Sequence, residues 1–153
     1  MKRVIIDCDP SADDALALML AAASAELSLE AVTAVSGVCE VAQSARNALN
    51  ILELCGRSDV SVAAGASQPL KRRLEFDGKY CGCDGISETG LVLASSCLSR
   101  LPAVELIHRK RGEHPGENSI ISIVTFKILA ALFNESPEHT EQSAGHYTRS
   151  GTQ

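Results

Sequence analysis

The sequence predicts an α/β domain with a mostly parallel sheet flanked by helices, and three observations carry that prediction. Short runs rich in Val, Ile and Thr alternate with longer runs rich in Ala and Leu, the rhythm of strand, helix, strand. The chain is 45% hydrophobic but 3% aromatic and has no Trp, so its core must come from Ala, Val, Ile and Leu, as in helices packed on a buried parallel sheet. Four aspartates gather where the first strand gives way to the first helix, the edge at which open α/β sheets place their ligands.

Arg3 to Asp7 is a short apolar run closed by a carboxylate and predicts the first strand. Ala12 to Ala25 follows with almost continuous Ala, Leu and Met, strong helix formers. Leu29 to Ser36 predicts a second strand. Val41 to Cys55 predicts a second helix with Leu49, Leu52 and Leu54 as apolar positions and Gly56 as its stop. Val60 to Ala64 is a third strand, and helices long enough to cross over imply parallel strands joined in the right-handed sense. From Gly65 to Ser96 the pattern weakens into a stretch too long for a simple connection, a candidate functional loop region. Helical character returns over Ala103 to Arg111, Ser119 to Val124 predicts a fourth strand, and Phe126 to Phe133 the start of another helix.

At 153 residues the chain suits one domain with a sizeable core. Its net charge of -5 argues against a nucleic-acid partner, because such domains gather a basic excess on one face. The basic clusters Lys71-Arg72-Arg73 and His108-Arg109-Lys110-Arg111 are short and flanked by acids, and read as solvated charge at loops and helix ends. Met1-Lys2-Arg3 leads into only Val4-Ile5-Ile6 before Asp7, which is no signal peptide, and no apolar run is long enough for a bilayer. The expectation is a soluble, cytoplasmic protein with no membrane partner. Six cysteines at irregular spacings lack paired CxxC units, so they read as free thiols, with Cys81-Gly82-Cys83 the one pair placed in a Gly-containing loop. His108, His114, His139 and His146 stand among polar neighbours and read as solvated.

Asp7-Cys8-Asp9-Pro10-Ser11-Ala12-Asp13-Asp14-Ala15 holds the chemistry. One aspartate at a helix start is a cap, but four this close repel one another and raise each other's pKa unless a cation intervenes. A hard divalent ion with oxygen ligands resolves the conflict. Calcium suits it better than zinc, since no His or thiol pair accompanies the carboxylates.

The same segment resembles the signature of the inosine/uridine-preferring nucleoside hydrolases, in which Gly usually stands at the place of Ser11. The resemblance continues through Arg46-Asn47-Ala48-Leu49-Asn50-Ile51-Leu52-Glu53-Leu54, Ala63-Ala64-Gly65-Ala66 with Pro69-Leu70, Gly82-Cys83-Asp84-Gly85, and His114-Pro115-Gly116-Glu117, in the family's order. It implies a Rossmann-like sheet over residues 1–135, the amino-terminal half of the nucleoside hydrolase fold and so an incomplete one; the polar segment 136–153, without apolar periodicity, is expected from its composition to be disordered. It also implies a glycosidase of purine and pyrimidine salvage. Asp9 and Asp14 would ligate calcium, Asp9 would also orient and deprotonate the attacking water, Asp13 would hold ribose hydroxyls, and Asp7 would support the site from behind. The partner implied is a small-molecule nucleoside. A homo-oligomer is one arrangement that would cover a sheet edge left open.

Three positions depart from the family pattern. Val38 stands where an Asn usually contacts the sugar, and Cys81 replaces a His. Val124-Thr125-Phe126-Lys127-Ile128 replaces a Gly-Pro-Leu-Thr-Asn segment whose Thr gives calcium a backbone oxygen, and a Lys127 cation beside calcium would oppose binding unless it points away. A catalytically inactive, truncated remnant with at most weak metal binding is therefore the alternative reading. A magnesium-dependent phosphatase of the haloacid-dehalogenase type also opens with DxD after a strand, but the Asp13-Asp14 pair and Arg46-Asn47-Ala48 disfavour it.

Overall fold

A computed structural model of the chain describes residues 1–67, 81–91, 95–124, 128, 132 and 146–148, and every element named below belongs to them. In chain order these are β1 (Lys2–Cys8), α1 (Ala12–Ala23), β2 (Leu27–Ala34), α2 (Val41–Leu54), β3 (Ser61–Ala64), α3 (Ala103–Glu113), β4 (Asn118–Ser122) and β5 (His146–Thr148). The strands form one sheet in the order β3-β2-β1-β4-β5, with all four pairings parallel. From β1 the chain steps outward through β2 to β3 and then returns to the other side of β1 as β4. The order therefore reverses between β1 and β4, and beyond the carboxyl ends of the strands at such a switch point open α/β sheets form the crevice that takes a ligand.

Alternation along β1 divides the core into two layers. Val4, Ile6 and Cys8 face one side and pack with Leu18 and Ala21 of α1 and Ala48, Ile51 and Leu52 of α2. Ile5 faces the other, with Ala31, Ala63, Ile120 and the α3 residues Ala103, Leu106 and Ile107. Ile128 and Leu132, the two described positions of the expected helix 126–133, are helical and complete that second layer. The β1–β2 register slips once between Val4 and Ile5, passing over Glu30, whose carboxylate pairs with Arg3 at 2.5 Å.

β1 to β3, α3 and β4, with the two helices between the first strands, fall within a few residues of their expected spans. α2 stops at Gly56 as the sequence predicts: Gly56 takes φ +70°, its N–H donates to the Glu53 carbonyl at 2.9 Å, and the Arg57 N–H reaches the Leu52 carbonyl at 2.8 Å. That is a left-handed cap closing two carbonyls that the helix leaves open. The cluster His108-Arg109-Lys110-Arg111 ends α3, where Arg109 and Lys110 pair with Glu113 at 3.4 and 2.9 Å. Lys71-Arg72-Arg73, Pro69-Leu70, Lys127 and His139 lie outside the described residues.

His146–Thr148, within the segment 136–153, pairs in parallel with Ile120–Ser122 of β4. An open strand edge recruits main-chain partners through its N–H and C=O groups, and that pairing needs no apolar periodicity to announce it. The rest of that segment lies outside the described residues. Among the described residues no helix is long and apolar enough to cross a membrane.

Candidate active site

Asp7 is the last but one residue of β1, and the register sets its partners. Parallel pairing places Asp7 level with Thr33 on β2 and Ser122 on β4, so three polar side chains share one face of the sheet. The Thr33 hydroxyl donates to Asp7 Oδ1 at 2.9 Å, and the Ser122 hydroxyl lies 3.2 Å from both Asp7 Oδ2 and the Val124 carbonyl. All three residues are fully buried. Asp7 is thus enclosed below the crevice and braces the strand end from which the loop to α1 departs. Thr33→Val removes one of its donors without changing shape and should cost about 1–3 kcal/mol. Urea denaturation should show a lower midpoint at an unchanged slope.

Asp9 leaves the strand and turns into the crevice. Its Oδ2 accepts the Val38 N–H at 3.2 Å, and its own N–H donates to Asp14 Oδ2 at 2.9 Å. Gly37 permits this approach, since a Cβ there would stand 1.4 Å from Asp9 Oδ2. Val38, at the place of a sugar-contacting Asn, therefore reaches the site through its backbone, which a side-chain change leaves in place.

Asp14 lies in the first turn of α1, buried at 5% exposure. Burial, reinforced by the neighbouring Asp9 carboxyl, pushes its pKa up to about 8. The helix start that would ordinarily favour an anion is outweighed by desolvation and like charge. Asp13 is exposed beside it and accepts a hydrogen bond from the Ser11 hydroxyl. Ser11 is the N-cap of α1 but makes no side-chain cap, so the hydroxyl present where the family usually has Gly is spent on Asp13 instead. Cys8 points the other way, into the first core layer, with its thiol against the Thr33 carbonyl. Burial and the surrounding aspartates push that thiol well up, so it remains protonated and offers no thiolate.

The crevice thus brings Asp9 and Asp14 together and leaves Asp13 at its rim and Asp7 beneath. The pair offers hard oxygen donors and carries a charge conflict that a cation would relieve, and the neighbouring thiols of Cys8 and Cys39 are both pushed up towards the protonated form, a donor chemistry that fits an oxygen-loving divalent ion. Among the described residues no group of three or more His, Cys, Asp or Glu side chains is arranged to hold a metal.

Two residues here were not singled out from sequence. Asn47, fully buried on α2, donates through Nδ2 to the Pro10 carbonyl at 3.2 Å and the Asp84 carbonyl at 2.7 Å. Asp84 closes its own loop, its Oδ1 accepting the N–H groups of Ile86 and Glu88 at 3.0 and 2.9 Å. The signal for Asn47 was available: it falls on the apolar stripe of α2, flanked by Ala48 and Ile51, where a polar residue needs a buried partner. Cys81, at the place of a family His, is half-buried and accepts the Ser87 N–H at its carbonyl.

An acidic pair at the switch point of a parallel sheet, braced by a buried aspartate, defines an α/β protein built to bind a ligand at that edge. The family model described as inosine-uridine preferring nucleoside hydrolase matches residues 4–152, and the chain belongs to that family. The pyrimidine-specific ribonucleoside hydrolase RihA of Citrobacter koseri is 37% identical over 135 residues, 88% of this chain and 43% of that protein. RihA of Salmonella enteritidis is 38% identical over 139 residues, 90% of this chain and 45% of that protein. The chain thus spans less than half the length of these relatives. A solved plant nucleoside hydrolase superposes with TM-score 0.92 at 31% identity, over 99% of this chain and 48% of that one. The purine-preferring ribonucleoside hydrolase of Gardnerella vaginalis gives TM-score 0.92 at 25% identity, over 99% of this chain and 49% of that one.

Proposed function

We propose that this chain carries the water-activating and sugar-holding part of a nucleoside hydrolase, which cleaves the N-glycosidic bond of ribonucleosides to release ribose and nucleobase. The observation that carries the reading is the Asp9–Asp14 pair at the switch point, with Asp14 pushed up to about 8. Asp9 and Asp14 would hold calcium, which when bound polarises a water and the ribose oxygens. Asp9, steadied by the Val38 N–H, orients the water and takes its proton as the oxygen bonds to the anomeric carbon. The carbon–nitrogen bond breaks through an oxocarbenium-like state, the departing base takes up a proton from solvent, and Asp9 returns its own to solvent, so that one water is consumed overall. Asp13, at the rim, holds ribose hydroxyls. Asp7 keeps the loop in place from below. Relatives are named both for pyrimidine nucleosides, at 37% identity, and for purine nucleosides, at 25% identity, so the substrate class here is the ribonucleoside as such.

A second reading, a member of the family without catalysis and with at most weak metal binding, is favoured by one observation: among the described residues two carboxylates, rather than three or more, are grouped for a cation that takes about six to eight oxygens. Ribose release from inosine and uridine, assayed with calcium and with chelator, separates the two. Saturable release that chelator abolishes supports the hydrolase; no release at any calcium concentration leaves the non-catalytic reading.

A further inference from the structure

We propose that Asn47 is a positioning residue that sets the spacing between the acidic loop and the loop 81–88, making the latter one wall of the substrate crevice. The inference rests on the functional reading above and deepens it. All of the Asn47 amide is committed: Nδ2 spans the carbonyls of Pro10 and Asp84, each 37 positions away in sequence, and Oδ1 accepts from Gln43 Nε2 at 2.9 Å. Pro10 directly follows Asp9, so the same amide that anchors the acidic loop also anchors Asp84. Among the described residues, loop 81–88 also bonds within itself, through Asp84 Oδ1 on the N–H groups of Ile86 and Glu88 and the Ser87 N–H on the Cys81 carbonyl. Its contact with the helix is tight at Gly85, where φ is +79° and a Cβ would meet Cys39 Sγ at 3.1 Å and Asn47 Nδ2 at 3.5 Å. The Cys39 thiol, which feels both Asp9 and Asp84, marks how near the two loops stand.

The Asp9–Asp14 and Asp9–Val38 bonds do not involve Asn47. Loss of its donors therefore releases the wall more than the acidic pair. Asn47→Asp keeps the shape and replaces both donors with acceptors. The expected result is amide exchange at Ile86, Ser87 and Glu88 faster by at least about 10-fold, with β1 and β2 amides unchanged and calcium affinity within about 3-fold. For ribose release, KM should rise by about 10-fold with kcat within about 3-fold, the pattern of lost substrate binding. Gln43→Ala, which leaves the Asn47 donors but frees their orientation, should move the same readouts in the same direction by a smaller factor, and serves if Asn47→Asp does not fold. Unchanged exchange at 86–88 would overturn the proposal, as would a uniform rise across the sheet with kcat, KM and calcium affinity failing together, which is the mark of a general packing role. A wild-type chain that releases no ribose would sink the functional reading while the exchange measurement still decides the tether.

Discussion

Asp9→Asn is expected to lower nucleoside hydrolysis by about 10³-fold, within the range that a positioned general base contributes. The amide keeps the size of the carboxyl and an oxygen for the Val38 N–H, so the fold and the Gly37–Val38 contact survive. What disappears is the acceptor for the proton of water and one anionic ligand for calcium. Calorimetry on the same sample should show calcium affinity falling with activity, because one side chain serves both. Activity of the Asp9→Asn variant within about 10-fold of wild type would remove Asp9 from the role assigned to it and leave the base to be sought elsewhere.

The second large effect concerns Asp14 and runs in the opposite direction for stability. Its folded-state pKa of about 8 lies above the ordinary carboxyl value of 3.8, so the fold disfavours the charged form. A raised pKa contributes stability that is fully present below about 4 and is lost as pH rises through about 8. The loss amounts to about 1.4 kcal/mol for each pH unit across that window. Asp14→Asn holds a neutral group at every pH and retains an oxygen for the Asp9 N–H. In chelator, the variant should therefore match the wild type near pH 4 and melt higher by at least about 5 °C near pH 8.5. With calcium at about 100 times its dissociation constant the gap near pH 8.5 should narrow by roughly half, since a ligand at that level stabilises the protein that binds it by about 2.7 kcal/mol. A melting gap that does not change with pH would show that Asp14 is not held in the conflict described here.

The Asp9 and Asn47 variants also separate affinity from chemistry. Asp9 is expected to fail in both calcium binding and turnover. Asn47 is expected to spare calcium and raise KM, because its bonds reach the backbone of Pro10 and Asp84 rather than either carboxyl.

Much of this protein was legible in its sequence. Alternation of β-branched runs with Ala- and Leu-rich runs determined β1, α1, β2, α2 and β3 to within a few residues, because strand and helix periodicities are local. Gly56 ended α2 for an equally local reason, its freedom to take φ +70°. Four aspartates after a strand pointed to the edge of the sheet where the proposed site lies, since the strand end and the helix start converge on one edge of any such sheet. The partners of those aspartates were decided by tertiary structure alone. Asp7 meets Thr33 and Ser122 only because β2 and β4 flank β1 in a particular register, across 26 and 115 positions of sequence. α1 is so uniformly apolar that its sequence names no buried face, and packing chose Leu18 and Ala21 inward while leaving Leu16 and Leu20 exposed. His146–Thr148 joined β4 through main-chain bonds that side-chain pattern does not encode. Asn47 stood in the sequence only as part of the Arg46–Leu54 resemblance, and its bonds to two distant carbonyls came with the fold. Local periodicity is written into neighbouring residues, whereas the desolvation, repulsion and hydrogen bonding that tune Asp14 and Asn47 arise only when distant segments are packed together.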